Sequence, residues 1–421
     1  MAYPQAAWER AMKVQDVLMK ALSGEWSWCR AAEVIGWSPR TLRRWRHRYE
    51  THGYAGLLDK RLFRPSGRAI PAGEVERVLQ LYRERYAGFN IRHFHDIVRR
   101  DHQVTQSYSW TKQVLQAAGL VAKRRARGRH RRRREPRACF GELLHVDGSR
   151  HAWFALAPDT RPTLIAVPDD ATNQVLYAQF WESESTRAIM TALWDVFTTH
   201  GLPMALYSDR AGWAFYTPSA KGPVDKRRLT QVGRALAHLG VEHIPSYSPQ
   251  ARGRSERLNR TFQDRLVNEL RVAGICTIPA ANAYLRDVFL PRHNASFAHP
   301  PRDPESAWVA LGDVDLNQIL CHQETRTVAP DNTVPIDGLV LQIAKQPGRR
   351  TCAGLEVIVR RHLNDQYSIW RGTQPFGVYD AGGQPVDAAA PVHGRRRRPR
   401  TSRLDRPSAG PQRPQALSTA L

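Results

Sequence analysis

The spacing of apolar residues changes along the chain, and the changes mark its parts. Over about 11–57 apolar residues recur at helical spacing with a break in the middle. A second helical block covers about 72–121, with Val75, Val78, Leu79 and Tyr82 on one face and Phe94, Ile97 and Val98 in the next helix. Between about 142 and 244 short strand-like runs (143–146, 163–167, 175–180, 205–207 and 241–244) are interleaved with helical stretches over 185–200 and 230–239. Three early strands followed by strand–helix alternation predict a mixed α/β sheet. Over about 316–379 the pattern turns β-rich, in Thr325-Arg-Thr-Val, Leu339-Val-Leu-Gln-Ile, Leu355-Glu-Val-Ile-Val-Arg and Tyr367-Ser-Ile-Trp. Turn signals such as Asp337-Gly338 separate these runs, which suffices for a small β-barrel-like domain.

These patterns divide the chain into a first helical domain (1–63), a second (72–121), a linker (122–138), an α/β core (139–300), a small β-rich domain (314–382) and a tail (388–421). The first domain has helix-turn-helix grammar. An Ala-rich helix stops at Gly36, Ser38 offers an N-cap, and Pro39 takes the first helical position. The second helix then turns Leu42 and Trp45 inward and presents Arg40, Thr41, Arg43, Arg44 and Arg46 to phosphates and base edges. Ser109 to Gly119 reads either as another recognition helix, in a winged or helix-turn-helix-like domain, or as core.

Composition sharpens this picture. The chain has 63 Lys and Arg against 39 Asp and Glu, a net charge of +24. Such a balance in a chain that is 42% hydrophobic points to a folded protein that meets a polyanion, nucleic acid being the common case. The densest run, Lys123-Arg-Arg-Ala-Arg-Gly-Arg-His-Arg-Arg-Arg-Arg-Glu-Pro-Arg137, has nothing to bury. It is a tether, and Arg131, Arg132, Arg133 and Arg134 are placed to contact phosphates regardless of sequence. The tail, with Arg395 to Arg398 and many Pro, Ser and Gln, is expected to be disordered. No signal-peptide core, lipidation signal or spanning apolar run is present, so a cytoplasmic, nucleoid-associated location without membrane partners is expected. The five scattered cysteines fit a reducing compartment and argue against a structural zinc site.

Three acids stand out in the α/β region. Asp147 follows the alternating run Leu143-Leu-His-Val and precedes Gly148, a turn signal; Asp209 ends Met204-Ala-Leu-Tyr-Ser; Glu256 lies where a Pro/Gly-rich loop becomes a helix. Two carboxylates at strand ends and a third on a helix can converge on one point. Hard oxygen ligands of this kind suit Mg2+ or Mn2+, and two such ions together break and join phosphodiesters. Each acid taken alone reads equally as a turn residue or a first-turn carboxylate. Cations flank them: Arg150, Arg210, Arg252, Arg254 and Arg257, of which Arg252 and Arg254 are assigned to phosphate contact. Among competing acids, Asp169 and Asp170 are expected in a hairpin turn. Asp264, about 12 Å beyond Glu256 along the helix axis, is expected to pair with an arginine. His145 and His151 are candidate acid/base auxiliaries.

The segments His145-Val-Asp-Gly-Ser, Asp169-Asp-Ala-Thr, Tyr207-Ser-Asp-Arg-Ala, Tyr247-Ser-Pro-Gln-Ala-Arg-Gly-Arg-Ser-Glu-Arg and Asn259-Arg-Thr-Phe-Gln-Asp-Arg-Leu resemble the integrase-type (DDE) core of bacterial insertion-sequence transposases, the ISNCY group in particular. The resemblance covers most of the chain, and the block ending at Glu256 is its most specific piece. It implies a ribonuclease-H-like catalytic core in which Asp147, Asp209 and Glu256 bind two divalent ions. It also implies double-stranded DNA, as element ends and as target, for a partner, a homo-oligomer on that DNA, and no small-molecule cofactor. Two departures from the pattern are visible. The zinc module that opens retroviral integrases is absent, and Ala152 stands where relatives are expected to carry an acid. The 46 residues between Asp209 and Glu256 exceed the shortest family spacing, and the stretch Lys221-Gly-Pro-Val-Asp-Lys-Arg fits an inserted loop.

The expected function is therefore a DNA transposase that binds the terminal inverted repeats of its insertion sequence and carries out strand cleavage and strand transfer. Two rivals remain at this point: a non-catalytic DNA-binding regulator derived from a transposase, and a ribonuclease-H-fold nuclease that cuts without joining.

Overall fold

The computed structural model describes residues 3–59, 70–123, 135–219, 222–247 and 253–386. The chain falls into two compact units, Met1–Arg85 with His95–Lys123, and Tyr86–Phe94 with Arg124–Leu421. The basic run over 124–134 and the tail from 387 lie outside the described residues.

In the first unit α1 (Gln5–Leu22), α2 (Trp28–Ile35) and α3 (Pro39–His52) close around Val14, Leu18, Ala31, Ala32, Leu42 and Leu57. The turn between α2 and α3 is built as the sequence predicts. Gly36 ends α2 at φ 74°, a left-handed conformation that costs a residue without Cβ little. The Ser38 hydroxyl accepts the backbone N–H of Thr41 at 3.2 Å, and Pro39 opens α3. Trp45 is stacked on Trp37 with ring centroids 5.2 Å apart. Helices α4 (Ala72–Glu84), α5 (Ile91–Asp101) and α6 (Tyr108–Ala117) follow, and the capping residue of α6 is Ser107.

The second unit is organised on a five-stranded sheet. Its strands are β2 (Leu143–Arg150), β3 (Thr163–Pro168), β4 (Val175–Trp181), β5 (Ala205–Ser208) and β6 (Glu242–Pro245), preceded by the short β1 (Cys139–Phe140). The spatial order is β4-β3-β2-β5-β6. β2, β3 and β4 are mutually antiparallel, whereas β2, β5 and β6 are parallel. The mixed α/β sheet expected from strand–helix alternation is thus present. Helices α7 (Thr186–His200) and α8 (Gln231–His238) pack on one face, against Leu144, Val146, Ile165 and Leu206. The other face packs Leu164, Ala166 and Phe180 against α9 (Gly253–Val272), α10 (Ile278–Tyr284) and α11 (Leu290–Phe297). Side chains alternate across a strand, so β2 sends 144 and 146 to one layer and 145, 147 and 149 to the other. A π-helical turn, Leu285–Phe289, joins α10 to α11. Pro291, in the first turn of α11, has no N–H for the α-helical ladder.

Beyond β7 (Asp303–Ser306), which pairs in parallel with β1, and α12 (Leu316–Ile319), the chain is β-rich as expected. β8 (His322–Thr327), β11 (Glu356–Arg361), β12 (Tyr367–Arg371) and β13 (Gln374–Tyr379) form an antiparallel sheet in the order β13-β12-β11-β8. β9 (Thr333–Ile336) and β10 (Leu339–Gln342) form a separate hairpin. Its turn holds Asp337 at φ 50° and Gly338 at φ 79°, the paired positive angles a two-residue hairpin requires. Sheet and hairpin share one core around Val334, Leu341, Val359, Ile369 and Phe376. Among the described residues the two are not joined into a closed barrel.

The seat of α9 on the sheet is apolar and repeats at four-residue intervals: Phe262, Leu266 and Leu270 are all fully buried. The Phe262 ring meets Phe289 edge-on at 5.2 Å. Phe262→Ala should lower stability by about 3–5 kcal/mol, read as a shift in the denaturant midpoint of tryptophan fluorescence. A loss below about 1 kcal/mol, the size of a surface substitution, would mean that α9 is not seated there.

Candidate functional site

Strand β2 serves two partners in turn. Its first half pairs in parallel with β5, ending at Val146 opposite Ser208, and its second half pairs antiparallel with β3, beginning at Asp147 opposite Ala166. Asp147 is therefore the next residue of β2, and Asp209 is the residue just past the end of the adjacent parallel strand β5. The expectation that Asp147-Gly-Ser ends the strand in a turn is corrected: β2 runs on to Arg150. The glycine has a different use. Glu184 lies over Gly148 so closely that a Cβ there would meet the Glu184 Oε2 at 2.4 Å. The same carboxylate accepts the Trp213 indole N–H at 2.6 Å.

Asp147 is 8% exposed, and its Oδ2 accepts from Asn259 Nδ2 on α9 at 2.9 Å. One turn further on, Gln263 Nε2 donates to Ser149 Oγ at 3.2 Å. Asp209 is half-buried and accepts the backbone N–H of Ala211 at 3.0 Å. Its neighbour Ser208 bonds His243 Nε2 at 2.9 Å. His243 stacks on Phe215, and burial pushes its pKa down to about 4, so the ring stays neutral. Glu256 is exposed on α9, three residues before Asn259 and so on nearly the same helical face. Asp264 does not pair with an arginine as expected; it accepts from Asn90 Nδ2. The reason is placement, since the segment Tyr86–Phe94 belongs to the same unit as α9. The donor set of Asp147, Asp209 and Glu256 is all hard oxygen, which fits Mg2+ or Mn2+ in kind. Among the described residues, no three His, Cys, Asp or Glu side chains stand together as a finished metal site.

Asp169 and Asp170 occupy the expected hairpin turn, between β3 and β4, and do more than turn the chain. Asp169 accepts the backbone N–H of Thr172 at 2.8 Å and that of Gly141 at 3.0 Å. Asp170 is fully buried. It receives Nε2 of the buried His145 at 2.8 Å, the backbone N–H of Arg137 at 2.7 Å and Nε of Arg254 at 2.8 Å. Burial works against its charge, yet His145, the Arg137 N–H and Arg254 together outweigh that and hold its carboxyl down to about 2. His145 is thus committed to a buried carboxylate, and Arg254, 15% exposed, is spent within the protein, its Nη1 on Asn173 Oδ1 at 2.9 Å. A cavity of about 110 Å³, lined by His145, Asn173, Arg254, Leu258 and His293 among others, lies beside this network. Sequence reasoning missed Asp170, Asn259 and Gln263 as parts of the site. The spacing of Asn259 and Gln263 from Glu256 on one helix was available; nothing local links Asp170 to Arg254.

On α3, Arg40, Arg43 and Arg44 are exposed. The Thr41 hydroxyl is 2.9 Å from the capping Ser38 hydroxyl, and Arg46 is ion-paired with Glu50 at 2.6 Å beside the Trp28 ring. Arg131, Arg132, Arg133, Arg134 and Arg252 lie outside the described residues. No described helix is long and apolar enough to cross a membrane.

Comparison with known proteins gives this geometry a family. Residues 9–58, which hold most of α1 and all of α2 and α3, match a Homeodomain-like domain family. The chain is 32% identical to the putative transposase y4bF of Sinorhizobium fredii over 92% of its own length and 85% of that protein. It is 28% identical to the transposase for insertion sequence IS1202 of Streptococcus pneumoniae, over 61% of this chain and 62% of that one. Among solved structures, a simian T-cell lymphotropic virus intasome overlaps 65% of this chain and 88% of its own with a TM-score of 0.32 and 14% identity. The HTLV-2 integrase catalytic core domain in complex with magnesium overlaps 34% of this chain and 82% of its own, with a TM-score of 0.26 and 14% identity. Likenesses at these scores carry nothing about chemistry, whereas the first relative matches across nearly the whole chain. The chain belongs to the insertion-sequence transposases.

Proposed function

We propose that this transposase binds the terminal inverted repeats of its own element and breaks and joins DNA strands by in-line phosphoryl transfer at Asp147, Asp209 and Glu256. The observation that carries the reading is one juxtaposition. Asp147 and Asp209 each follow the last pair, Val146 and Ser208, of two adjacent parallel strands, and the helix bearing Glu256 reaches Asp147 through Asn259 at 2.9 Å. The strand order β4-β3-β2-β5-β6 with helices on both faces supports a ribonuclease-H-like core.

The three carboxylates would hold two Mg2+ or Mn2+ ions, which when bound supply a nucleophile at neutral pH and stabilise charge on the scissile phosphate. The chain's own part is to orient and to neutralise. Asn259 fixes which Asp147 oxygen stays inside, Ser208 and His243 pin the strand end that presents Asp209, and exposed Arg150 and Arg257 offer charge to the DNA backbone. Arg40, Arg43 and Arg44 on α3 read the element ends, with the basic linker adding contacts that ignore sequence. Two ends must be joined in concert, so the working species is a homo-oligomer on DNA.

The test uses purified protein, a labelled duplex carrying the native element ends, a plasmid target and either metal. Joining of the label that needs metal and vanishes in Asp147→Ala supports the reading; nicking without joining points to a nuclease. Asp209→Asn should cut strand cleavage by on the order of 10³-fold, as loss of several kcal/mol of charge stabilisation requires, with binding to the ends nearly intact. Wild-type cleavage in that variant would remove Asp209 from the site. Arg43→Ala and Arg44→Ala should each weaken binding and flatten the plot of log affinity against log salt by about 0.9. An unchanged slope would show that these arginines do not meet phosphates.

A further inference from the structure

The fully buried apolar seat of α9 begins at Phe262. Between Ser255 and Phe262 no residue of the helix is fully buried; Leu258 packs against the same core only in part and lines the cavity of about 110 Å³. The turns that carry Glu256 therefore rely largely on polar contacts, of which Asn259 on Asp147 is one. The strongest is the pair between Arg254 and Asp170, at 2.8 Å, with the carboxylate fully buried and Asn173 taking a second guanidinium nitrogen. A charge-assisted bond to a fixed, buried acceptor sets direction as well as distance. The other Asp170 oxygen receives the N–H of Arg137, where the basic linker enters the core.

We propose that Asp170 is a positioning residue for the transposition chemistry: through Arg254 it fixes the first turn of α9, and so Glu256, against Asp147. It touches neither DNA nor the reacting atoms. Through Arg137 it also ties the end of the linker to the same carboxylate, so linker and α9 share one anchor. The role rests on the reading of Asp147, Asp209 and Glu256 as the reacting site.

Asp170→Asn keeps the shape and an acceptor for Arg137 but removes the charge that Arg254 faces. With the full-length protein, DNA affinity should stay within about twofold, whereas the joining rate should fall about 10–100-fold, the usual cost of losing a group that orients a site's ligands. Amide exchange should quicken over 253–259 while 262–270 and the sheet keep their protection. Arg254→Lys, which retains the charge, should recover part of the rate. The double variant Asp170→Asn/Arg254→Gln should lose no more than the worse single one, because both remove one interaction. Unchanged exchange over 253–259, or a wild-type rate, in Asp170→Asn would overturn the proposal. Should Asp170→Asn lose protection throughout the sheet, Arg254→Gln decides: local quickening in a folded protein supports the role, and none overturns it. If the wild type joined no DNA end, the reaction reading would fall, whereas the exchange result would still decide whether Asp170 holds α9.

Discussion

The candidate site depends on where the parallel pairing of β2 stops. β2 has β5 on one edge and β3 on the other; pairing with β5 ends at Val146 opposite Ser208, whereas the antiparallel edge, already bridged at Leu144 to Asp169, stays paired from Asp147 to Arg150. Had β5 continued, Asp209 would sit inside a ladder with its backbone paired and its side chain packed. Because β5 stops, Asp209 stands in the opening at the end of the parallel pair, the place where α/β sheets present ligand-binding groups. Asp147 stays within a continuous strand. One acid is thus set by the sheet and the other by a strand end whose last residue, Ser208, is bonded to His243.

Charge is arranged in the same spirit. The chain has a net charge of +24, yet among the described residues some arginines are turned inward. Arg254 meets Asp170, and Arg234 gives Nη2 to the carbonyl oxygens of Ile319 and Cys321. A buried ion pair contributes little net stability because desolvation offsets its attraction, but removing one partner is costly. What the Arg254–Asp170 pair supplies is a definite geometry, and both it and the hydrogen bonds of Arg234 to backbone carbonyls join elements far apart in the chain.

Legibility from sequence followed locality. The cap at Ser38, the glycine stop at Gly36, the Asp337-Gly338 hairpin and every strand of the central sheet follow from residues within a few positions of one another. Asp147, Asp209 and Glu256 were visible as candidates because each sits at a change of local pattern. The continuation of β2 through Gly148 was not legible, since Asp-Gly normally turns; the close neighbour of Gly148, the carboxylate of Glu184, lies thirty-six residues on. Asp170 was read as a turn residue, which it is. Its partners His145, Arg137 and Arg254 come from three separate segments, and no spacing rule brings them together.

The division of α9 into a polar first part and an apolar second part follows from what each has to do. Burying Phe262, Leu266 and Leu270 gives non-directional stabilisation that tolerates small shifts. On the proposed reading, a carboxylate that faces Asp147 and Asp209 would not tolerate them, since about 1 Å of misplacement is enough to cost a reaction on the order of a hundredfold. Nor, on that reading, could its turns be sealed under apolar side chains, and Glu256 is indeed exposed. Directional bonds from Arg254, Asn259 and Gln263 to fixed acceptors on the hairpin and on β2 meet both demands. The helix is seated by apolar burial at one end and by polar bonds at the other, and the positioning role proposed above falls to a carboxylate, Asp170, buried 84 residues before the arginine it pairs with.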